Sequence, residues 1–227
     1  MSEGTQPATR RYDSSGRQAR AAEVRREILR AAHDLFVAHG YTATTMADIA
    51  VAAGVSTPTV YATGTKAALL KSCVDLALVG DDAAVPVADR PITQWVLDTP
   101  DANELLSRYA VMMGELAARS GPIYDVVVRA ADSDPDIATL LADYERQRLR
   151  AATTFAEAVA SRNGLPPGRT ITEARDTIWI CIAPELYVTL TRKRRWSTRR
   201  YVEWSRNTLL QLITAEPAAG NIPHRTP

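Results

Sequence analysis

The sequence predicts an all-α protein: an N-terminal unit of three helices, followed by a larger helical body. Three observations carry this. Apolar residues recur at spacings of three and four, as in Val24, Ile28, Ala32, Leu35 and Phe36, which places them on one face of a helix. No long stretch alternates with period two, so no strand is predicted. Cap and stop residues also punctuate the chain at helix-length intervals.

In chain order, residues 1–18 are polar, lack apolar periodicity and predict a disordered arm. A helix is predicted from Arg20 to Gly40, where glycine supplies a left-handed terminus. Thr45 to Asp48 reads as a capping box, with Thr45 as N-cap and Asp48 three residues on. Gly54 closes that short helix, Ser56 caps the next, and Pro58 falls in its first turn, where a missing N–H costs little. Thr65 caps a longer helix from Lys66 to about Val79. The stretch 81–100 holds Pro86, Pro91 and Pro100 and predicts a loop with a short helix around Ile92–Leu97. Helices follow at about 102–119, 122–132, 135–163, 171–191 and 198–214, and a disordered tail from Glu216. The expected units are a three-helix unit over 19–66 and a helical body over 67–215, with the arm 1–18 and the tail 216–227 outside them.

Composition narrows the function. With 46% hydrophobic and 23% charged residues over 227 positions, a packed core needs no staple. Cys73 and Cys181 are far apart, form no C-x-x-C and predict two reduced, buried thiols in a cytoplasmic protein. The N-terminus lacks the apolar region of a secretory signal. The apolar run Thr177–Leu190, interrupted by Pro184 and Glu185, is too short to span a bilayer, so no membrane partner is expected. His33 and His39 lie six apart and His224 lies in the tail, so neither a metal nor any other cofactor is predicted. No nucleotide-binding, serine-hydrolase or metalloprotease motif occurs, leaving an enzyme reading without a catalytic group. Charge is uneven: residues 67–186 carry 11 basic and 18 acidic side chains, while 1–66 carry 8 and 6 and 187–227 carry 8 and 2. A basic N-terminal unit on an acidic body suits a protein whose DNA face alone is positive.

The two short helices joined at Gly54 make a helix-turn-helix, whose second helix enters the major groove. Ser56, Thr57, Thr59 and Tyr61 supply hydroxyls there, beside Pro58, while Val60 faces the core. Thr45 and Ala47 open the first of the pair, and Lys66 stands at the start of the fourth helix as a phosphate contact. Arg17, Arg20, Arg25 and Arg26 are candidates for the DNA backbone or minor groove. Arg10 and Arg11 fit a gripping arm or a solvated tail equally.

At Thr44 to Tyr61, T-T-M-A-D-I-A-V-A-A-G-V-S-T-P-T-V-Y, the sequence resembles the TetR family of repressors. Phe36 to Tyr41 (F-V-A-H-G-Y) and Lys66 to Leu70 (K-A-A-L-L) are similar to the family's flanking helices, and Pro184–Tyr187 with Trp196, Ser197 and Tyr201 to its last two. The family usually has a Y-x-x-F-x-x-K pattern; here Tyr61 to Lys66 is one residue shorter and lacks the bulky plug. The resemblance implies a homodimer joined through the last two helices, a palindromic double-stranded DNA operator, and release by a small, apolar or aromatic effector in the body. Tyr109, Met112, Met113, Leu116, Tyr124, Val127, Trp179 and Cys181 are candidate pocket residues, with plain core packing as the competing reading. The acidic surplus of the middle segment would favour a cationic ligand or form a solvated surface. Leu186, Tyr187, Leu190, Trp196, Tyr201, Trp204 and Leu209 are candidate dimer contacts or intrachain core. Arg192 to Arg195 reads as a solvated helix end, expected far from the DNA heads. The alternative function is an all-helical ligand-binding protein or enzyme without specific DNA binding.

Overall fold

The structure, a computed structural model, describes residues 14–80 and 87–214. They are overwhelmingly helical, and no strand occurs among them. α1 (Ser14–His39) starts inside the segment expected to be a disordered arm. Ala19, Ala21 and Ala22 are strong helix formers, so an established helix propagates back toward the N-terminus. The rest of the expected arm and the expected tail lie outside the described residues.

α2 (Met46–Ala53) and α3 (Thr57–Thr63) form as their caps predict. The Thr45 hydroxyl accepts from the Asp48 N–H at 3.1 Å while the Thr45 N–H donates to Asp48 Oδ2 at 3.0 Å. Gly54, at φ 66°, returns its N–H to the last carbonyls of α2 and turns the chain into α3. α4 (Lys66–Val79) starts at Thr65, whose hydroxyl accepts from the Ala68 N–H at 3.2 Å. Ile28, Ala32 and Phe36 of α1, Ile49 of α2, Val60 of α3 and Leu69, Leu70 and Val74 of α4 make one core. These largely aliphatic side chains fix the angle at which α3 leaves the domain.

In the body, α5 (Pro91–Leu97) forms where a short helix is predicted. α6 (Ala102–Ala130) is one helix, not the predicted pair broken at Gly121-Pro122. Proline removes one backbone hydrogen bond and crowds the preceding turn. Here packing outweighs that cost: Ser120, Gly121, Ile123 and Tyr124 are all buried, and a Cβ on Gly121 would lie 3.2 Å from Tyr187 and 3.3 Å from Val188. α7 (Pro135–Ala160) runs back along α6 from its Asp134 cap.

The predicted helix 171–191 divides in two. α8 (Ile171–Cys181) starts with a capping box, Thr170 with Glu173, that the sequence reading missed. α9 (Pro184–Val188) follows and continues as a wider turn over Thr189–Lys193. Pro184 causes the division: the residue before a proline is driven out of the helical region, and Ala183 has ψ 130°. α10 (Thr198–Leu209) and its extension Leu210–Thr214 complete the described chain.

α10 approaches α6 closely at Gly114, where an added Cβ would lie 2.2 Å from Val202 Cγ2, a stiff β-branched neighbour. Gly114→Ala is therefore expected to lower stability by about 1 kcal/mol, overpacking strain exceeding alanine's helix preference. Thermal unfolding of the two proteins checks this.

Two tyrosine–aspartate bonds join the N-terminal domain to the body. Tyr41, after α1, donates to Asp134 Oδ2 at 2.9 Å, and Tyr144 of α7 donates to Asp75 Oδ1 of α4 at 2.8 Å. The Asp134 carboxylate also caps α7, accepting from the Asp136 and Ile137 N–H groups. One apolar core accordingly runs from α1–α4 into the C-terminal end of α6 and the N-terminal end of α7. A second core holds α5, α8, the start of α6 and the ends of α7 and α10.

Candidate functional site

α3 presents a short polar surface on a firmly packed base. Val60 is fully buried, Thr57 and Thr59 are half-buried, and Ser56 and Pro58 are exposed. Tyr61 is 62% exposed, so its ring and hydroxyl project from the domain. The four hydroxyls proposed from sequence are not equivalent. Ser56 Oγ and Thr59 Oγ1 bond each other at 2.7 Å, and Ser56 also accepts from the Thr59 N–H. Both therefore serve the cap, while Thr57 and Tyr61 project from the helix. On α2, Thr45 is tied into its box with Asp48, and Ala47 is exposed. Val51, 83% exposed and four residues after Ala47, extends the same outer face and was missed. Its signal is an apolar residue that falls off the Met46–Ile49–Ala50 stripe.

Hydroxyl and N–H bonds from Thr45 hold the Asp48 carboxyl below its usual range. The cap therefore stabilises α2 fully above the ordinary carboxylate range, and its contribution is lost as pH falls through the lower folded-state value. An Asp48→Asn protein should show a shallower loss of stability on acidification, read by denaturant unfolding across pH 2 to 6 on the order of the carboxylate range.

Lys66 departs from its expected role. Its Nζ donates to the Tyr41 carbonyl at 3.0 Å and the Thr44 carbonyl at 3.2 Å, and lies 4.3 Å from the Tyr41 ring centroid. The ammonium clamps the α1–α2 turn, leaving one of its three protons for a phosphate. The Thr44 hydroxyl supports the same turn through the Gly40 carbonyl at 2.8 Å. Arg25 is committed too, donating to the Thr63 carbonyl and to Ser72 Oγ; it braces α1 against α3 and α4 instead of reaching outward. Arg20 is exposed. The shortened turn before Lys66 depends on Gly64, whose φ 143° and ψ −177° suit glycine alone. A Cβ there would press to 3.2 Å on Ala68, so this turn has no room for the family's usual bulky residue.

The eight pocket candidates do not share one wall. Tyr109, Met112, Met113, Trp179 and Cys181 belong to the second core, and Tyr109 packs on Phe155 at 4.0 Å between centroids. Tyr124 and Val127 belong to the core shared with the N-terminal domain. Leu116 is half-buried. A polar chain links the two groups. Tyr124 donates to Glu145, Arg148 Nη1 bonds Glu145 at 2.7 Å, and Arg148 Nη2 donates to the Trp179 carbonyl at 3.0 Å. Arg148 also lies 5.2 Å from the Trp179 ring centroid. Burial, followed by the bond and charge of Glu145, raises the Tyr124 hydroxyl above its ordinary range. Glu145 and Arg148 were not anticipated. The available signal was Arg148 at spacing four from both Tyr144 and Ala152, a charge in the inward stripe of α7.

Both thiols are buried, and burial pushes Cys73 up to about 12, the state of an inert structural cysteine. Among the described residues no cluster of candidate ligands could hold a metal ion, and no helix is long and apolar enough to cross a membrane.

Several dimer candidates are intrachain core. Tyr187, Tyr201 and Leu209 are 8%, 1% and 0% exposed, because α9 and α10 fold onto the small residues of α6. Leu186, Leu190, Trp196 and Trp204 keep partial exposure. Arg192 to Arg195 are all exposed, as expected of a solvated helix end. Arg192 pairs with Asp125 at 3.3 Å, and Asp125 lies between Tyr124 and Val126, both part of the core shared with the N-terminal domain.

Residues 28–73 match the family described as bacterial regulatory proteins, tetR family. The N-terminal domain is of the TetR family. Solved structures extend the likeness to the whole fold. A putative TetR-family regulator from Syntrophomonas wolfei is 19% identical over 88% of this chain and 99% of its own, with a TM-score of 0.67. NalD of Pseudomonas aeruginosa, a secondary repressor of the MexAB-OprM multidrug efflux pump, is 17% identical over 86% and 98%, at 0.64. FadR of Bacillus subtilis, solved with stearoyl-CoA, is 17% identical over 83% and 97%, at 0.62. No curated protein sequence matches this chain. The chain thus joins a TetR-type helix-turn-helix to a TetR-type helical body, and its pairing of Glu145 with Arg148 lies inside that body.

Proposed function

We propose that this protein is a homodimeric transcriptional repressor that binds a palindromic operator and leaves it when a small molecule enters the body. The observation that carries the reading is α3: a rigidly capped helix whose core side is locked by Val60 and whose outer side offers Thr57, Pro58 and Tyr61. Thr45, Ala47, Val51, Ser56, Thr59 and Lys66 surround that face, the last three chiefly holding its geometry. A major groove admits one such helix and offers donors and acceptors that hydroxyls read. On this reading 19–66 is the DNA-binding unit and 67–215 the sensing and dimerising unit.

A second copy of the chain is the partner for the face of α8 and α10. Ile180 of α8 and Leu212 of the α10 extension are 55% and 45% exposed, and Trp204 of α10 is half-buried. Tyr187, Tyr201 and Leu209 support that face from within. The effector would lie beside the Tyr124–Glu145–Arg148–Trp179 chain. A shift there reaches α4 through adjacent Tyr144 and its bond to Asp75, and α4 follows the recognition helix directly. Effectors act by preferring one arrangement over another. The repressor and acyl-CoA-bound neighbours support a body built to receive organic ligands.

The deciding experiment is binding of the full-length protein to the duplex upstream of its own gene, measured by anisotropy against salt and against scrambled competitor. Two subunits per site, preference over the competitor and a steep fall of affinity with salt are expected. Equal binding to scrambled DNA would overturn the proposal.

A further inference from the structure

Resting on the reading that α3 enters a major groove, we infer that this protein selects its operator by the C5-methyl groups of thymine, packed against Pro58 and Tyr61. The ground for this is which side chains the helix pair holds. From Met46 to Thr63 the chain has no arginine, lysine, histidine, asparagine, glutamine or glutamate. Its one charged residue, Asp48, is bound into the Thr45 cap through Oδ2. Bidentate pairing to guanine takes arginine or lysine, and bidentate pairing to adenine takes asparagine or glutamine. Neither helix can make either contact. The cations that flank α3 do not fill the gap, since Lys66 donates to the Tyr41 and Thr44 carbonyls and Arg25 to the Thr63 carbonyl. An arginine of α1 that met a phosphate would read no sequence, and one in the minor groove would read only A·T against G·C.

What α3 presents instead is largely apolar. Tyr61 lies three positions after Pro58 and four after Thr57, so the three share one side of the helix while Val60 points into the core. Pro58 is exposed, and the Tyr61 ring projects from the domain. On α2 the exposed Ala47 and Val51, also four apart, carry the same chemistry. The hydroxyls of Thr57 and Tyr61 both donate and accept, so they hold a base edge without choosing among the pairs. In the major groove of unmodified DNA the one apolar group on a base edge is the thymine methyl. It matches a proline ring and a tyrosine face, and no other feature of the groove does. Such contacts act only at van der Waals distance, so they need a backbone held in place. The Ser56–Thr59 cap and the Lys66 clamp on the α1–α2 turn supply that.

Thymine and uracil pair identically and differ by that methyl alone. The test is therefore binding of the full-length protein to its upstream duplex made with thymidine or with deoxyuridine, read by anisotropy at fixed salt. The uracil duplex is expected to bind at least tenfold more weakly, because each of two subunits loses at least one packed methyl, worth about fourfold. Tyr61→Ala should shrink the thymine preference at least threefold while weakening both complexes. An effect of the methyls on duplex shape alone would persist undiminished in that variant. The exchanged side chain is exposed, and circular dichroism on the same samples confirms that the fold stands. Equal affinity for the two duplexes, or an undiminished preference in Tyr61→Ala, would each overturn the inference. A scrambled duplex keeps the two readings apart. Specific binding to the upstream duplex without a thymine preference retains the repressor proposal and loses this one, whereas equal binding to scrambled DNA overturns both.

Discussion

Tyr61→Ala is expected to weaken binding to the upstream duplex by about ten- to a hundredfold, the effect of about 1–3 kcal/mol that one good groove contact carries. The side chain is 62% exposed and contributes little to its own domain, whose core at this helix is Val60. Its loss should leave the melting temperature within error of the parent, because surface substitutions away from caps and cores are usually near neutral. That separation makes the result informative: affinity falls while the fold stands. Tyr61→Phe divides the contribution further, keeping the ring and removing the hydroxyl. Thr57→Val removes the other projecting hydroxyl at nearly constant shape. Retention of full affinity in Tyr61→Ala would mean that α3 does not present this face to DNA. The readout is equilibrium anisotropy at fixed salt, with circular dichroism on the same preparations.

Local chemistry was legible in the sequence and distant partnership was not. The Thr45–Asp48 box, the Ser56 and Thr65 caps and the Gly54 turn rest on residues within a few positions of one another, and each appears as the spacing implies. Gly121-Pro122 reads as a break by the same local logic, yet α6 continues. The deciding contacts, Tyr187 and Val188, come from more than sixty residues away on the order of a whole body's connectivity. At Ala183 the reverse holds: the local effect of Pro184 ends the helix and prevails over the apolar periodicity that runs on to residue 191. For Tyr201 and Leu209 the pattern marks a buried face but not which chain buries it, and α6 of the same subunit does so. Arg25, Lys66 and Arg148 show the same limit for charge. A cation in a sequence has no visible partner when that partner is a backbone carbonyl or a hydroxyl on another helix.

Lys66→Met is expected to lower stability by about 2–3 kcal/mol, a large share of a domain's total. The thioether side chain retains most of the apolar stem, so packing changes little and the loss isolates the ammonium. Two charge-assisted bonds disappear, to carbonyls at 3.0 and 3.2 Å, and with them the contact to the Tyr41 ring at 4.3 Å. Hydrogen bonds from charged groups contribute about 1.5–3 kcal/mol and an accessible cation–π contact about 0.5–1. The half-buried site lets water satisfy part of what is lost, which sets the expected value below the simple sum of these contributions. Lys66→Arg should recover only part of it, because a planar fork does not replace a point donor between two carbonyls. The lysine also secures Tyr41, whose hydroxyl reaches Asp134 at the start of α7. Its removal should therefore loosen the joint between the N-terminal domain and the body as well as the turn itself. Hydrogen exchange tests that second consequence: amides following the Asp134 cap should lose protection together with those of α2, while those of α8 and α10 keep theirs. A melting temperature equal to the parent's would show that the clamp contributes nothing and that Lys66 is free for DNA after all.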